Sequence, residues 1–292
     1  MKKIHYELLM LLVVALWGSS FALTKPLLDK MGVFNFLAYR FIIGGLVLLL
    51  FLLATKKFIV NKEVLKSGIT TGVLIFITFY FHNIGLKYTS VANNAFIVGS
   101  SVIFIPIIQY LIFKKKTSST IILQTITAII GLALITLLNT KNQMNFGDII
   151  TLAGTVVYSF YTIIVQDHVR KFSVNVFVTI QLLTVGILSL ISTFIFEKPT
   201  MDLAANEWIN IIFLAVVITS IAYYLLSVVQ KHLEATNVGL IFTLEPFFAV
   251  LFSWVFYHEI ISLNMLIGGT LIFISMIMPY MPKKPYANND HP

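Results

Sequence analysis

The sequence predicts an all-α polytopic membrane fold: ten transmembrane helices as two inverted five-helix repeats, with both termini cytoplasmic. Three observations predict it. The first is composition. Of 292 residues, 58% are hydrophobic and 11% charged, and the mean hydropathy is +0.93. A soluble domain is about 45–50% apolar and about 25% charged. The second is the length of the apolar runs, which suits spanning helices of roughly 20 residues and is too continuous for barrel strands. The third is an alternation of basic residues between successive breaks. The composition excludes a soluble enzyme, a disordered chain and a nucleic-acid partner of the usual kind. There is no cysteine, which removes disulfides, thiolate metal sites and cysteine catalysis. Met1-Lys2-Lys3 and the apolar run from Leu8 read as a retained first helix, because no small-x-small cleavage site follows.

Ten segments lie at about 8–28, 35–54, 67–86, 91–113, 119–138, 149–166, 174–195, 208–230, 235–257 and 263–281. Segment one carries Trp17 and ends near Lys25 and Asp29, four residues apart and at helical pairing distance. Segment two carries Arg40 near its outer end. Segment three sets Thr71, Thr78 and His82 along one face, with Gly68 and Gly72 as a small-xxx-small contact. Segment four carries Asn94, Ser101 and Pro106. Segment six places Thr151, Thr155, Tyr158, Thr162 and Gln166 at steps of three and four. Segment seven carries Gln181. Segment eight repeats the helical step with Thr219, Tyr223, Ser227 and Gln230. Segment nine carries Asn237, Glu245 and Pro246. Segments five and ten hold few large polar groups and are expected at the periphery. The tail, 282–292, is expected in the cytoplasm.

Orientation follows from charge. One set of breaks holds Lys2, Lys3, Lys56, Lys57, Lys62, Lys66, Lys114, Lys115, Lys116, Arg170, Lys171, Lys231, Lys283 and Lys284. The alternate set holds only Lys30, Lys87, Lys141 and Lys198. Lysine and arginine gather in cytoplasmic loops, which places both termini there.

The chain also resembles itself. At an offset of 141, Trp17 falls on Tyr158, Arg40 on Gln181 and Gly45 on Gly186. At an offset of 144, Lys87 falls on Lys231, Asn93 on Asn237, Ser101 on Glu245 and Ser118 on Ser262. The expected repeats are 1–140 and 147–281. Five spans per half is odd, so the second half enters from the opposite side, as in many secondary transporters. Pro106 and Pro246 lie in paired spans, and interrupted helices in such positions point to a binding site.

Glu245 is the sharpest chemical signal. It sits near the bilayer midplane, where a carboxylate costs on the order of 2.5–3.5 kcal/mol. It reads as a substrate-amine contact or proton carrier, against a helix-packing carboxyl. Arg40 reads as an anion contact or a partner of Glu245, against snorkelling to headgroups. Lys25 reads as paired with Asp29. His82 reads as a proton shuttle or a satisfied interfacial histidine. The polar stripes should face inward, because lipid penalises them. Trp17, Tyr158 and Tyr223 then supply walls with polar tips.

Trp17-Gly18-Ser19-Ser20-Phe21, Arg40-Phe41 with Gly44-Gly45, and the stretch from Tyr223 through Ala235-Thr236-Asn237 and Glu245-Pro246 to His258-Glu259 together resemble the EamA-type branch of the drug/metabolite transporter superfamily. The chain departs from it at Val102, where that branch usually shows proline, and at Lys114-Lys115, where it shows Gly-Glu. The resemblance implies an inverted five-plus-five fold and export or uptake of small metabolites, among them amino acids and drugs.

The reading is therefore a multi-pass permease of the cell membrane that moves a small molecule, first an amino acid or related compound, by alternating access. Its partners are that substrate and membrane lipid, with protons a candidate coupling ion. No cofactor, metal or catalytic residue is expected. The candidate substrate-binding residues are Trp17, Arg40, Thr78, His82, Asn94, Ser101, Tyr158, Thr162, Gln181, Tyr223, Asn237 and Glu245. An intramembrane enzyme lacks a phosphate loop, His-Glu-x-x-His or Gly-x-Ser-x-Gly. A receptor, scaffold or channel is the remaining alternative.

Overall fold

The computed structural model describes residues 3–89, 91–115, 118–136, 145–257 and 263–278. Lys2, Lys116, Lys141, His258, Glu259, Ser262 and the tail with Lys283 and Lys284 lie outside the described residues. The helices are α1 (Lys3–Lys30), α2 (Val33–Ala54), α3 (Lys62–Tyr88), α4 (Val91–Gly99), α5 (Ser101–Leu111), α6 (Ser119–Thr136), α7 (Phe146–Val169), α8 (Val174–Phe196) and α9 (Ala205–Phe213). A π-helical stretch (Leu214–Ile221) follows, then α10 (Ala222–Gln230), α11 (Ala235–Phe242), α12 (Glu245–Tyr257) and α13 (Leu263–Ile277). Among the described residues, seven helical runs are long and apolar enough to cross a membrane, and the apolar helices 119–134 and 266–275 are shorter.

Large apolar side chains face outward as well as inward, and several strongly polar ones are buried. Leu50, Phe51, Ile187 and Phe194 are exposed, whereas Arg40, Gln166, Gln181 and Glu245 are buried. Outward apolar side chains and inward polar ones are what a hydrocarbon solvent selects. Helix ends are closed by side chains. Asn61 accepts from the Val64 amide at 2.8 Å, and Asn145 and Asp148 form a capping box on α7. Glu197 accepts from the Phe34 and Asn35 amides at 3.1 and 2.9 Å, which places a carboxylate on the positive end of α2.

Packing pairs elements from the two halves. α2 lies along α8, and α6 along α13. α1 packs on α10, α11 and α12, and α7 packs on α3, α4 and α5. These two groups face each other across the centre of the bundle. α6 and α13 brace one another: the Gln124 amide donates to the Ser275 carbonyl at 2.9 Å. Gly68 and Gly72 sit against Ile180 and Thr184 of α8, the close helix contact their spacing suggests.

Two apolar segments are broken. α4 gives way to α5 at Ser100, and α11 gives way to α12 at Thr243 and Leu244. Both breaks use a hydroxyl on the carbonyl three residues back: Ser100 to Ile97 at 2.5 Å and Thr243 to Leu240 at 2.6 Å. Such bonds compete with the helical ladder. Pro246 follows its break directly, in the first turn of α12, where its missing N–H leaves no ladder bond unmade. Pro106 lies inside α5, six residues past Ser100. The paired prolines therefore do not mark paired breaks; the first-half break is made by Ser100.

The π-helical stretch is set by neighbours. The Thr219 and Ser220 hydroxyls donate to the carbonyls of Leu214 and Ala215, five residues back, at 2.8 and 3.0 Å. Ser220 also donates to the Gly44 carbonyl at 2.7 Å. This approach needs a bare Gly44, because a Cβ there would stand 2.9 Å from the Ala215 carbonyl oxygen. We expect Gly44→Ala to cost about 1–3 kcal/mol, read as a lower Tm of the purified protein in detergent. An unchanged Tm would remove this contact from the fold's essential packing.

Candidate functional site

The end of the bundle where α1 begins is here the terminal end, and the end where α1 stops is the distal end. A cavity of about 70 Å³ lies between the α1 and α7 groups, from the middle of the bundle toward the distal end. At roughly 10–15 Å³ per water it holds a few water-sized groups. In this conformation it is far below the about 300–1,000 Å³ of drug-sized pockets.

The terminal side of the cavity is walled by aromatic rings. Trp17 lies 5.1 Å from Tyr223 and 5.2 Å from Phe242, and Tyr158 lies 5.2 Å from Phe242. The Trp17 indole donates to the Ile218 carbonyl in the π-helical stretch at 2.9 Å. Arg40 reaches the cavity from α2. Its Nε donates to the Thr219 hydroxyl at 2.7 Å, and its guanidinium carbon is 5.1 Å from the Phe79 ring centroid and 5.7 Å from that of Phe41. Glu245, at the start of α12, lines the cavity from the α1 group. Among the described residues the two form no ion pair. Tyr223 stands within electrostatic reach of both.

Polar atoms here lack protein partners. Thr24 Oγ1, Thr78 Oγ1, Asn94 Oδ1, the Tyr223 hydroxyl and Glu245 Oε2 are all buried without a hydrogen bond, and all five residues line the cavity. Each such group costs about 1–3 kcal/mol unless an occupant supplies the bond. The Asn94 amide nitrogen is held by the His82 carbonyl at 3.0 Å and the Thr151 hydroxyl at 2.8 Å, which aims its oxygen. The His82 ring lies 3.4 Å from the Thr155 hydroxyl.

The structure brings Trp17, Arg40, Thr78, His82, Asn94, Tyr158, Tyr223 and Glu245 to this cavity. It places four candidates elsewhere. Thr162 bonds back to the Tyr158 carbonyl of its own helix at 2.9 Å. Thr151 and Thr155 of the same stripe do likewise, because a buried threonine meets its need most cheaply one turn back. Gln181 is buried on α8, where Gly72 approaches its carbonyl. Ser101 is buried in the first turn of α5 and does not line the cavity. Asn237 lines a separate void of about 10 Å³ beside Pro106 and Gln124. Lys25 does not pair with Asp29 either; its ammonium donates to the Thr89 carbonyl at 2.6 Å. Thr89 caps α3, so this carbonyl is one of the helix's orphan acceptors.

Ser20 and Thr24 were missed, although they follow Trp17 at steps of three and four and so share its face. Phe21, Phe79, Leu86, Val98 and Phe242 gave no signal, because an apolar residue that lines a cavity reads like one that faces lipid. Asn83 was visible only as a polar neighbour of His82. Among the described residues no three of His, Asp and Glu converge as metal ligands.

A family model described as the EamA-like transporter family matches residues 5–137 and 145–281. The chain belongs to the EamA-like transporter family. An uncharacterized transporter of Archaeoglobus fulgidus is 26% identical over 277 residues, covering 95% of this chain and 86% of the relative. The uncharacterized transporter YetK of Bacillus subtilis is 23% identical, covering 92% of this chain and 86% of the relative. A solved structure titled only as the crystal structure of a protein superposes with a TM-score of 0.77 at 20% identity, covering 94% of this chain and 95% of that one. It shares the fold. This EamA-like protein is thus a multi-pass membrane protein of a transporter family, and its relatives are named as transporters rather than enzymes.

The terminal end of the EamA-like chain is closed below the aromatic wall. Ile105, Ile108, Ile163 and Ala235 form an apolar cluster there. Beneath it the Gln166 amide donates to the Leu233 carbonyl at 3.0 Å and to Glu234 Oε2 at 2.8 Å, and Arg170 pairs with Glu234 at 3.2 Å. Burial pushes the Glu234 carboxyl up, but hydrogen bonds from Gln166 and Arg170 and the charges of Arg170 and Lys115 outweigh it and hold the group below its ordinary value of 4.5. A lowered value contributes stability above the ordinary value, and that stability is lost as pH falls through the lowered one. The pair is half exposed, so its worth is under about 1 kcal/mol. Acidification below about pH 4.5 should lower the Tm of wild type more than that of Glu234→Gln. Parallel curves would show that this carboxylate does not hold the closure.

Proposed function

We propose that this protein is a secondary transporter that carries a small metabolite across the cytoplasmic membrane by alternating access. In this reading ten spans form two inverted five-helix repeats, 1–140 and 147–281, with both termini in the cytoplasm. The substrate is an amino acid or related zwitterion, with export the favoured direction and protons a candidate coupling ion. One observation carries the substrate class: a buried guanidinium and a buried carboxyl line one small cavity without pairing. A zwitterion supplies a carboxylate for Arg40 and an ammonium for Glu245. Bringing both charges out of water without partners is costly, and an occupant carrying both counter-charges offsets that cost. The aromatic wall of Trp17, Tyr158, Tyr223 and Phe242 accepts an apolar side chain. The size of the cavity favours a compact occupant.

Counterflow in proteoliposomes tests this reading, with a panel of labelled amino acids and a millimolar excess of unlabelled competitor. Wild type should show saturable, competable uptake. Arg40→Met should lower uptake at a fixed substrate concentration at least about tenfold, the scale of one charge-assisted hydrogen bond. Glu245→Gln should lower uptake on the same scale, because it removes the counter-charge for the ammonium; exchange that persists while the response to a pH gradient is lost would make this carboxyl the proton site and not the ammonium contact. Absence of competable uptake for every amino acid would overturn the substrate class.

A further inference from the structure

Lys25 and Gln166 make the same contact at opposite ends of the molecule. Each is a long polar side chain that donates to a backbone carbonyl where the next broken segment begins. Lys25 Nζ reaches the Thr89 carbonyl at 2.6 Å, between α3 and α4. Gln166 Nε2 reaches the Leu233 carbonyl at 3.0 Å, between α10 and α11. The offset of 141 that sets Trp17 on Tyr158 sets Lys25 on Gln166. The offset of 144 that sets Lys87 on Lys231 sets Thr89 on Leu233. Donor and acceptor therefore correspond together, under registers fixed by other residues.

Each contact also crosses between the two packing groups. Lys25 is on α1, which packs on α10, α11 and α12, while Thr89 ends α3, which packs on α7. Gln166 is on α7, while Leu233 joins α10 to α11. Thr89 is itself fixed to the α7 group, since its hydroxyl donates to Asp148 at 2.6 Å. By contrast, the ion pair of Lys30 with Glu207 joins α1 to α9, the start of the run that continues into α10, and does not cross the groups.

From these contacts we propose that Lys25–Thr89 and Gln166–Leu233 are a matched pair of gate latches, the first closing the distal end of the substrate route and the second the terminal end. The assignment rests on the alternating-access reading above. A rocking of one group against the other stretches one latch while it keeps the other, so the two bonds hold opposite conformations. The latches are unequal. Gln166 also holds Glu234 and accepts from the Ala235 amide at 3.3 Å, whereas Lys25 makes a single bond. The distal latch is the weaker one, and the cavity lies on its side.

The absence of native cysteine permits single reporters. Ser20→Cys reports the distal half, and Ser227→Cys, one turn beyond Tyr223, reports the terminal half. Their labelling rates with a polar maleimide are measured on full-length protein in detergent, in wild-type, Lys25→Met and Gln166→Leu backgrounds. Lys25→Met should speed labelling at Ser20→Cys and slow it at Ser227→Cys; Gln166→Leu should do the reverse. Loss of one net hydrogen bond sets the expected change at roughly fivefold. Lys25→Arg should restore the wild-type pattern. Should Gln166→Leu fail to fold, Gln166→Glu keeps the length and replaces the donor with an acceptor. Labelling that rises at both reporters shows general loosening and overturns the latches, as does labelling that moves at neither. The readout needs no substrate. Reciprocal labelling without amino-acid uptake keeps the latches and removes the substrate class. Uptake without reciprocity keeps transport and removes the latches.

Discussion

The structure is organised around a buried guanidinium that no carboxylate among the described residues neutralises. Removing Arg40 from water costs several kcal/mol if nothing replaces its hydration. What replaces it here is the Thr219 hydroxyl, the faces of Phe41 and Phe79, and the cavity itself. That arrangement constrains its neighbours. Thr219 is presented by a π-helical stretch, a local cost that persists only where the surroundings enforce it. Ser220 on the same stretch anchors to Gly44 of α2, one turn from Arg40, and the Trp17 indole donates to the carbonyl of Ile218, the residue before Thr219. Three hydrogen bonds, two to α2 and one to α1, thus fix the stretch that holds the cation.

Glu245 is placed by a different device. The Thr243 hydroxyl ends α11, Pro246 lets α12 begin at once, and Glu245 falls in the first turn of the new helix. A carboxylate at a helix N-terminus faces the positive end of the macrodipole, which moderates the cost of keeping it in the membrane. Gly18 of α1 lies against the Glu245 carbonyl and the Phe248 side chain, so α1 can run close beside the break. Cation and carboxyl are therefore each held by their own backbone irregularity, the π-helical stretch before α10 for one and the α11–α12 break for the other. This is why they share a cavity without collapsing into an ion pair.

Much of this was legible in the sequence, and the limits are physical. Apolar runs located the helices, because hydrocarbon leaves the chain few other options. Arg40, Glu245, His82 and Asn94 were legible because polar groups in such runs are expensive and must have a reason. The threonines of α7 misled, since a hydroxyl can satisfy itself on a carbonyl of its own helix while a carboxylate, which only accepts, cannot. Ser20 and Thr24 were readable from their spacing to Trp17 and were overlooked. The π-helical stretch was not readable: Leu214–Ile221 looks like any apolar helix, and its register depends on Gly44 and Arg40, more than a hundred residues away. Pro106 drew attention from Ser100, because proline breaks helices from sequence alone whereas serine does so only when its hydroxyl turns back.

The two halves differ most where chemistry is concentrated. Under the offsets that relate them, Arg40 corresponds to Gln181, Glu245 to Ser101 and Lys25 to Gln166. In each pair one member is ionisable and the other neutral. The ionisable Arg40 and Glu245 line the cavity, while Gln181 and Ser101 do not. Under the proposed alternating access, a bundle with identical inverted halves would have no preference between its two rocked conformations, because each would be the other turned over. Charge placed on one member of each pair removes that degeneracy. It gathers cation and carboxyl into one cavity instead of two diluted ones, and it leaves one hydrogen bond from Lys25 at one end and several around Gln166 at the other. In the alternating-access proposal, the pairing of the halves would supply the motion, and the substitutions that break the pairing would supply the binding site and the resting direction.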